Sequence, residues 1–313
     1  MKVGIVGAGS IAFGMAAFLE REGHKATLWS PSGERTKALA TGEPLVAAGA
    51  IEGTFKPAVA TSAEELVAGA EVILIALPAY GHKHVFDRIA PHITSAQTVI
   101  ISSHASFGAL YLSRLLAARG VVVPIAAWGT TLLSGRQTGA AKVQVNTVRQ
   151  SIDLATVPAA RSAEGLALCQ SLFGDRFVDR QSLLAIALSN LNPTIHMGIA
   201  LGNMTRMERG ESWGQAENVT PNVGRLLEEL DRERLAVATA LGLKVRTIFQ
   251  HVHLSFGVPL GSASEMHQAM HAIGKGGAGP TTADSRYVTE DVPFGLVPTA
   301  KLGRLAGHPA PLH

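Results

Sequence analysis

The sequence predicts an α/β chain in two parts: a parallel-sheet domain over residues 1–180, then an all-helical domain over residues 181–313. Three observations predict it. An apolar strand pattern at the start runs straight into Gly7-Ala8-Gly9-Ser10-Ile11-Ala12 and then into a helical pattern. Up to about residue 180, short apolar runs alternate with helical periods, as parallel strands joined by helices do. Beyond that point only helical periods remain. At 313 residues the chain is long for one core and comfortable for two.

The elements follow in order. Strands are expected at residues 3–6, 26–29, 72–76, 98–101 and 121–125. Helices fit between them, for example over 11–22 and 107–118. The runs 142–146 and 152–157 alternate well enough to extend the sheet. Residues 162–173 read as a helix and 176–178 as a last short strand. In the second part, 181–209 is a long candidate helix and 221–241 another, whose solvated face is marked by Asp231, Arg232, Glu233 and Arg234. Gly274-Lys275-Gly276-Gly277-Ala278-Gly279-Pro280 reads as a flexible connector, or as a mobile lid beside a site.

Composition narrows the function classes. Apolar residues make up 47% and charged residues 16%, a buried, globular balance that excludes disorder. The net charge is +3 without a dense Lys/Arg run, so nucleic acid is not an expected partner, although anionic ligands are suited. The single cysteine, Cys169, lies in an apolar run and reads as a small buried residue. His251/His253 and His267/His271 have no cysteine or acidic partner nearby, so no metal is expected. The strand pattern at the start leaves no room for a signal peptide. The longest uncharged stretch, Gln181 to Thr205, carries Asn190, Asn192, Pro193, His196 and Asn203, a polar load that suits a buried helix and not a membrane span. A soluble cytoplasmic protein without a membrane partner is expected.

The glycine turn has a physical reading. Gly7 permits the tight turn, Gly9 lets a pyrophosphate approach the backbone, and Ala12 replaces a third glycine while still allowing close helix–strand packing. Ser10 and Ile11 open a helix whose N-terminal N–H groups face the phosphates. This predicts a Rossmann domain that binds a dinucleotide. The second strand ends Leu28-Trp29-Ser30-Pro31-Ser32-Gly33-Glu34-Arg35, with no carboxylate at Trp29 or Ser30 for the ribose hydroxyls, and Glu34 is too far along. Ser30 and Arg35 would instead hold a 2′-phosphate, so NADP is the preferred cofactor and NAD the second option. Pro78 and Ala79 follow the carboxyl end of a parallel strand, where cofactors lie. His82 reads either as a surface histidine or as a cofactor contact, and Ser102-Ser103-His104 carries the same ambiguity.

The chemistry is sought in the uncharged stretch. On one helix, Ser189, Asn192, His196 and Asn203 would share a face, a polar stripe that needs partners or a ligand. Pro193 would kink that helix or mark its first turn. Hydride transfer to a carbonyl or imine needs a proton donor, and histidine titrates near neutrality. Farther on, Arg286 and Asp291 stand five apart in a segment too polar for a core strand. A guanidinium clamps a carboxylate, and a carboxylate on a histidine's second ring nitrogen fixes its tautomer. Spacing alone does not bring either residue to His196.

Three segments together resemble the octopine/nopaline (opine) dehydrogenase family: the glycine turn, Asn192-Pro193-Thr194-Ile195-His196, and Ser285-Arg286-Tyr287-Val288-Thr289-Glu290-Asp291-Val292-Pro293-Phe294-Gly295-Leu296-Val297-Pro298. The last is the specific match, because the family's pattern there is Arg-Tyr, a variable pair, then Glu-Asp-Val-Pro. The resemblance covers most of the chain. It implies His196 as acid/base, Asp291 as its partner and Arg286 as holder of the keto-acid carboxylate, with Asn192 of the same stripe a second substrate-binding candidate. It implies a reaction in which the amine of an amino acid and a 2-keto acid such as pyruvate condense to an imine that NAD(P)H reduces. Family chains usually continue past residues 305–313 into a final helix, and this one stops there.

The expected enzyme therefore has an N-terminal Rossmann domain and a C-terminal helical substrate domain, with catalysis between them and an amino acid and a 2-keto acid as partners. A homodimer is carried as its assembly. Two rival readings stand beside this one. A 2-keto acid reductase of the ketopantoate type needs no amine but usually relies on a lysine, and Lys244 and Lys275, the only lysines between 181 and 300, sit in no convincing helix-face motif. A non-catalytic NADP-binding sensor would have no use for an acid/base set.

Overall fold

The computed structural model describes residues 1–103 and 107–313, so His104 lies outside the described residues. Two compact units are present, Met1–Ile186 and Ala187–His313. In chain order the first contains β1 (Lys2–Val6), α1 (Ser10–Arg21), β2 (Lys25–Trp29), α2 (Lys37–Ala40), β3 (Leu45–Gly49), β4 (Gly53–Phe55), β5 (Ala58–Val59), α3 (Ala63–Ala68), β6 (Val72–Ile75), α4 (Ala79–Ile89), β7 (Thr98–Ile101), α5 (Gly108–Ala117), β8 (Ile125–Trp128), β9 (Leu133–Gly139), β10 (Lys142–Val148), β11 (Ile152–Val157), α6 (Ser162–Phe173) and β12 (Phe177–Asp179).

The central strands are apolar throughout because both sheet faces are covered. Alternate side chains go to opposite faces. Val72 and Leu74 join Ile5, Leu28 and Ile100 on one side, against α1 and α6. Ile73 and Ile75 join Val6, Val99 and Ile101 on the other, against α3, α4 and α5. The sheet order is β12-β11-β8-β7-β6-β1-β2-β5, with β11 antiparallel to β8 and the other pairs parallel.

A second sheet, in the order β4-β3-β10-β9, corrects one expectation. The 142–146 run does not extend the main sheet; it lies within β10, between β3 and β9. Its alternation, Val143 and Val145 buried with Lys142 and Gln144 outward, shows that one face is covered but not by what. What it covers is α1. Ala12 to Leu19 are all buried, because this helix lies in one core with strands of both sheets. The strand expected at 121–125 begins only at Ile125, and Val122 is more than half exposed. Cys169 is buried on α6, accepts a hydrogen bond from Trp128 Nε1 at 3.4 Å, and has its thiol pushed up to about 12 by burial.

The unit boundary falls within α7 (Leu183–Ser189), and α8 (Asn192–Gly202), α9 (Met204–Glu208), α10 (Pro221–Ala240), α11 (Ile248–Phe256), α12 (Ala263–Ala272), α13 (Arg286–Thr289) and α14 (Val297–Leu305) follow. The long helix expected over 181–209 is thus three helices. The first break precedes Pro193, which lacks an N–H and suits a first turn, and there Asn190 Oδ1 takes the Asn192 N–H at 3.1 Å. The second is at Asn203, whose amide bonds the Ile199 and Asn218 carbonyls. Leu183–Gly202 is apolar enough to span a membrane by composition, but it is broken at Asn190 and 56% buried within the protein.

One more expectation needs correction. Asp231 and Arg234 do not mark a solvated face, for both are sealed inside. They pair at 2.6 Å, Arg234 also donates to the Leu188 and Arg246 carbonyls, and Asp231 accepts the Ile248 N–H at 2.9 Å. The pair thus satisfies polar ends of neighbouring segments that would otherwise be buried unpaired. The glycine-rich segment is docked: Gln215 N donates to Gly277 O at 3.0 Å, and Gly279 N to Trp213 O at 2.9 Å.

Candidate active site

The candidate nucleotide site is the turn after β1. Gly7 has φ +134°, and a Cβ there would stand 2.4 Å from the Ala76 carbonyl oxygen, so only glycine fits. Above Gly9 there is open space. No side chain caps α1 and its first turn holds no acid, leaving the N–H groups of Ser10, Ile11 and Ala12 for an anion. Ala12 is fully buried, at the place where close packing asks for a small residue. Ser30, just past β2, has a buried hydroxyl without a hydrogen-bond partner. Arg35 is exposed on a 3-10 turn behind it. Pro78 precedes α4, and Ala79 opens that helix, buried. These residues would suit a dinucleotide: the uncapped helix end is open to phosphates, and the orphan hydroxyl at Ser30 could take a ribose or its phosphate. One contact had no signal in the sequence. Gln137 of β9 donates to the Ala8 carbonyl at 3.2 Å and so braces the turn.

His82 is not a surface histidine. It is buried, with Nε2 3.2 Å from the Leu77 carbonyl and its ring beside Phe86, because the loop carbonyl after β6 needs a donor. Ser102 is buried with its hydroxyl unpartnered.

A separate candidate cluster lies wholly in the helical unit. His196 sits on α8, and its Nδ1 lies 2.9 Å from Asp291 Oδ2; their side chains are 25% and 16% exposed. A carboxylate only accepts, so Nδ1 carries the proton and Nε2 is left for a ligand. What joins two residues 95 positions apart is a close approach. Asp291 runs into a π-helical turn, Val292–Leu296, and a Cβ on Gly295 would stand 2.2 Å from Pro193 Cγ. Only glycine lets this turn rest on the first turn of α8.

Tyr287 and Glu290 complete the cluster. The Tyr287 ring stacks on His196 with centroids 4.0 Å apart and an interplanar angle of 1°. Burial, and then the charge of Asp291, raise its phenol above the ordinary value, while a hydrogen bond with Gln215 opposes them. Arg286 gives Nε and Nη2 to Glu290 Oε2 at 2.6 and 2.5 Å; the arginine side chain is 71% exposed and the glutamate 7%. Arg286 is therefore held along one edge, and Nη1 remains open toward solvent. Neither Tyr287 nor Glu290 was expected, although the i, i+4 spacing of Arg286 and Glu290 is a legible ion-pair signal.

The polar stripe does not survive. Asn192 and His196 share α8, with Asn192 exposed at its start. Ser189 belongs to α7, and Asn203 is buried at the helix break with its amide satisfied. The chain breaks at Asn190 and Asn203 rotate these two out of the shared face. The remaining set is an imidazole oriented by a carboxylate, which could transfer a proton, and, next in the chain to the stacked Tyr287, a guanidinium that can take an anion.

Comparison with known proteins places the chain in a family. Residues 179–313 match the family described as NAD/NADP octopine/nopaline dehydrogenase, alpha-helical domain, and residues 2–106 match NADP oxidoreductase, coenzyme F420-dependent. An opine dehydrogenase of Arthrobacter sp. (strain 1C) is 32% identical over 98% of this chain and 86% of its own length. An octopine dehydrogenase solved with NADH and L-arginine shares the fold, with a TM-score of 0.84 at 17% identity over 100% of this chain and 86% of that one. A yersinopine dehydrogenase solved with NADP+ has a TM-score of 0.79 at 19% identity over 99% and 87%. With a Rossmann unit, a helical unit of the matching kind and that identity over nearly its whole length, the chain belongs to the octopine/nopaline (opine) dehydrogenase family of NAD(P)-dependent oxidoreductases acting on CH–NH.

Proposed function

We propose that His196 is the acid/base of a reductive condensation, that Asp291 orients it, and that Arg286, with Asn192 nearby, receives the carboxylate of the 2-keto acid. The enzyme joins the amine of an amino acid to a 2-keto acid. The amine adds to the keto carbon to give a carbinolamine. His196, protonated at Nε2, gives its proton to the departing hydroxyl, which leaves as water, and the C–N bond becomes a protonated imine. NAD(P)H, held at the Gly7 to Ala12 turn and at Ser30, would supply hydride chemistry, so that the imine carbon ends as that of a secondary amine dicarboxylate. The observation that carries the reading is the 2.9 Å contact between His196 Nδ1 and Asp291, which leaves Nε2 free to exchange that proton. The outer edge of Arg286 is the natural seat for a carboxylate, because Glu290 already occupies the inner one.

The test is the dependence on amine. NADPH oxidation with a 2-keto acid alone should be slow, and adding the right amino acid should raise it strongly and yield a secondary amine detectable by mass. Equal reduction of the keto acid to a hydroxy acid without any amine would favour the ketopantoate-type reading. Binding of NADP without turnover of any such pair would favour the sensor.

The cofactor reading is NADP in preference to NAD, in a cytoplasmic enzyme. It is supported by the orphan hydroxyl of Ser30, the exposed Arg35 behind it, and Trp29 where a ribose-binding carboxylate would stand. Arg35→Ala should weaken NADPH more than NADH, and equal loss for both would remove Arg35 from the 2′-phosphate.

A further inference from the structure

We propose that Tyr287 is a positioning residue for His196: its ring fixes the plane of the imidazole while Asp291 fixes its edge. This rests on the acid/base reading of His196. The Asp291 bond restrains Nδ1 but leaves the ring able to tilt about the line joining Nδ1 to the carboxylate. A face contact removes that tilt, and the Tyr287 ring lies parallel to the imidazole within 1°, at 4.0 Å between centroids. Edge and face together aim Nε2 in one direction, and a transferred proton needs that aim.

Tyr287 can serve as such a wall because it is itself held. Its ring is half-buried against the core of the helical unit. Gln215, which acts on its hydroxyl, has its own backbone N–H tied to the Gly277 carbonyl at 3.0 Å. The glycine-rich segment thus holds Gln215, the apolar core of the helical unit holds Tyr287, and Tyr287 holds the face of His196. Neighbouring positions on the short α13 do different work: Arg286 faces solvent through most of its side chain, and Glu290 is buried beneath it. A π face also favours an imidazolium over it, so the same contact serves the protonated state.

The test compares Tyr287→Phe, Tyr287→Leu and Tyr287→Met with His196→Ala. Phe keeps the stacked face and loses only the hydroxyl, so it should cost no more than about two- to threefold in kcat. Leu and Met keep apolar bulk and lose the face, so each should lower kcat about tenfold or more, by misaligning the acid/base, with the Kd for NADPH unchanged and the keto-acid KM within about twofold. Thermal melts of every variant show whether it is folded; if Leu is not, Met carries the comparison. The proposal is overturned if a folded Leu or Met variant keeps the parent kcat, if the loss falls on KM instead, or if Phe loses as much as Leu. His196→Ala separates this from its premise. If that variant retains near-parent turnover, the acid/base reading fails whatever Tyr287 does; if it is inactive while Tyr287→Leu is normal, only the positioning role fails.

Discussion

Replacing Asp291 with Asn removes one charge and almost no volume, and so isolates what the carboxylate does for His196. The contact is 2.9 Å long, between side chains 25% and 16% exposed. A hydrogen bond to a charged group contributes about 1.5–3 kcal/mol. Coulomb's law for charge centres about 4 Å apart at an effective dielectric near 20 gives about 4 kcal/mol as an upper figure, reduced here because a quarter of the histidine is still in contact with solvent. About 2 kcal/mol is thus expected, which at about 1.4 kcal/mol per tenfold is roughly thirtyfold on kcat. An asparagine can also turn its amide donor toward Nδ1, which selects the wrong tautomer and enlarges the loss. The assay is steady-state NADPH oxidation with saturating amino acid and keto acid, with NADPH affinity measured separately by fluorescence. Affinity should not move, because Asp291 is remote in sequence and role from the glycine turn. A kcat within threefold of the parent, or a loss that appears as weaker NADPH binding, would refute the reasoning.

Gly295→Ala should lower both stability and turnover, by about 1–3 kcal/mol of overpacking, because the added carbon stands 2.2 Å from Pro193 Cγ and must push Asp291 from His196; an unchanged melting temperature with parent kcat would contradict this. Arg234→Met should cost about 3–5 kcal/mol in a denaturant titration, since it strands the buried Asp231 carboxylate, and a loss below about 1 kcal/mol would show that the pair is not closed to water. His267 is buried, and desolvation holds its imidazole below the ordinary histidine value although the Ala263 carbonyl, 2.7 Å from Nδ1, opposes the shift. The unfolded chain therefore takes up that proton first, so stability is complete above the ordinary histidine range and is lost as pH falls through it. His267→Leu should accordingly lose less melting temperature than the parent between about pH 7.5 and about pH 5.5, and identical slopes would remove His267 from the acid sensitivity.

Where the controlling physics is local, the fold was readable from residue order. The glycine turn depends on a strand end, a positive φ and a helix start, all within twelve residues. The helix expected over 162–173 is α6 itself, since its apolar spacing and the glycine after it both lie in the segment. The 142–146 run was misplaced for the opposite reason. Alternation reports a covered face, and only the rest of the fold says that the cover is α1 and that the partners are β3 and β9. Asp231 and Arg234 look solvated in a row of charges, yet i, i+3 spacing lets them neutralise each other and bond to segments brought close by folding.

The candidate site divides along the same line. The sequence by itself determined the residue types: a nucleotide turn, a histidine in an apolar stretch, and the Arg286 to Asp291 segment, whose resemblance to a family suggested that they work together. Tertiary structure alone decided that Asp291 meets His196 at 2.9 Å, that Tyr287 stacks on the same imidazole, and that Glu290 holds one edge of Arg286. It also removed Ser189 and Asn203 from the stripe, through breaks at Asn190 and Asn203. The reason is separation along the chain. Backbone conformation answers to neighbours a few residues away, whereas His196 and Asp291 stand 95 positions apart, and their contact depends on one missing Cβ at Gly295 that lets two distant turns touch.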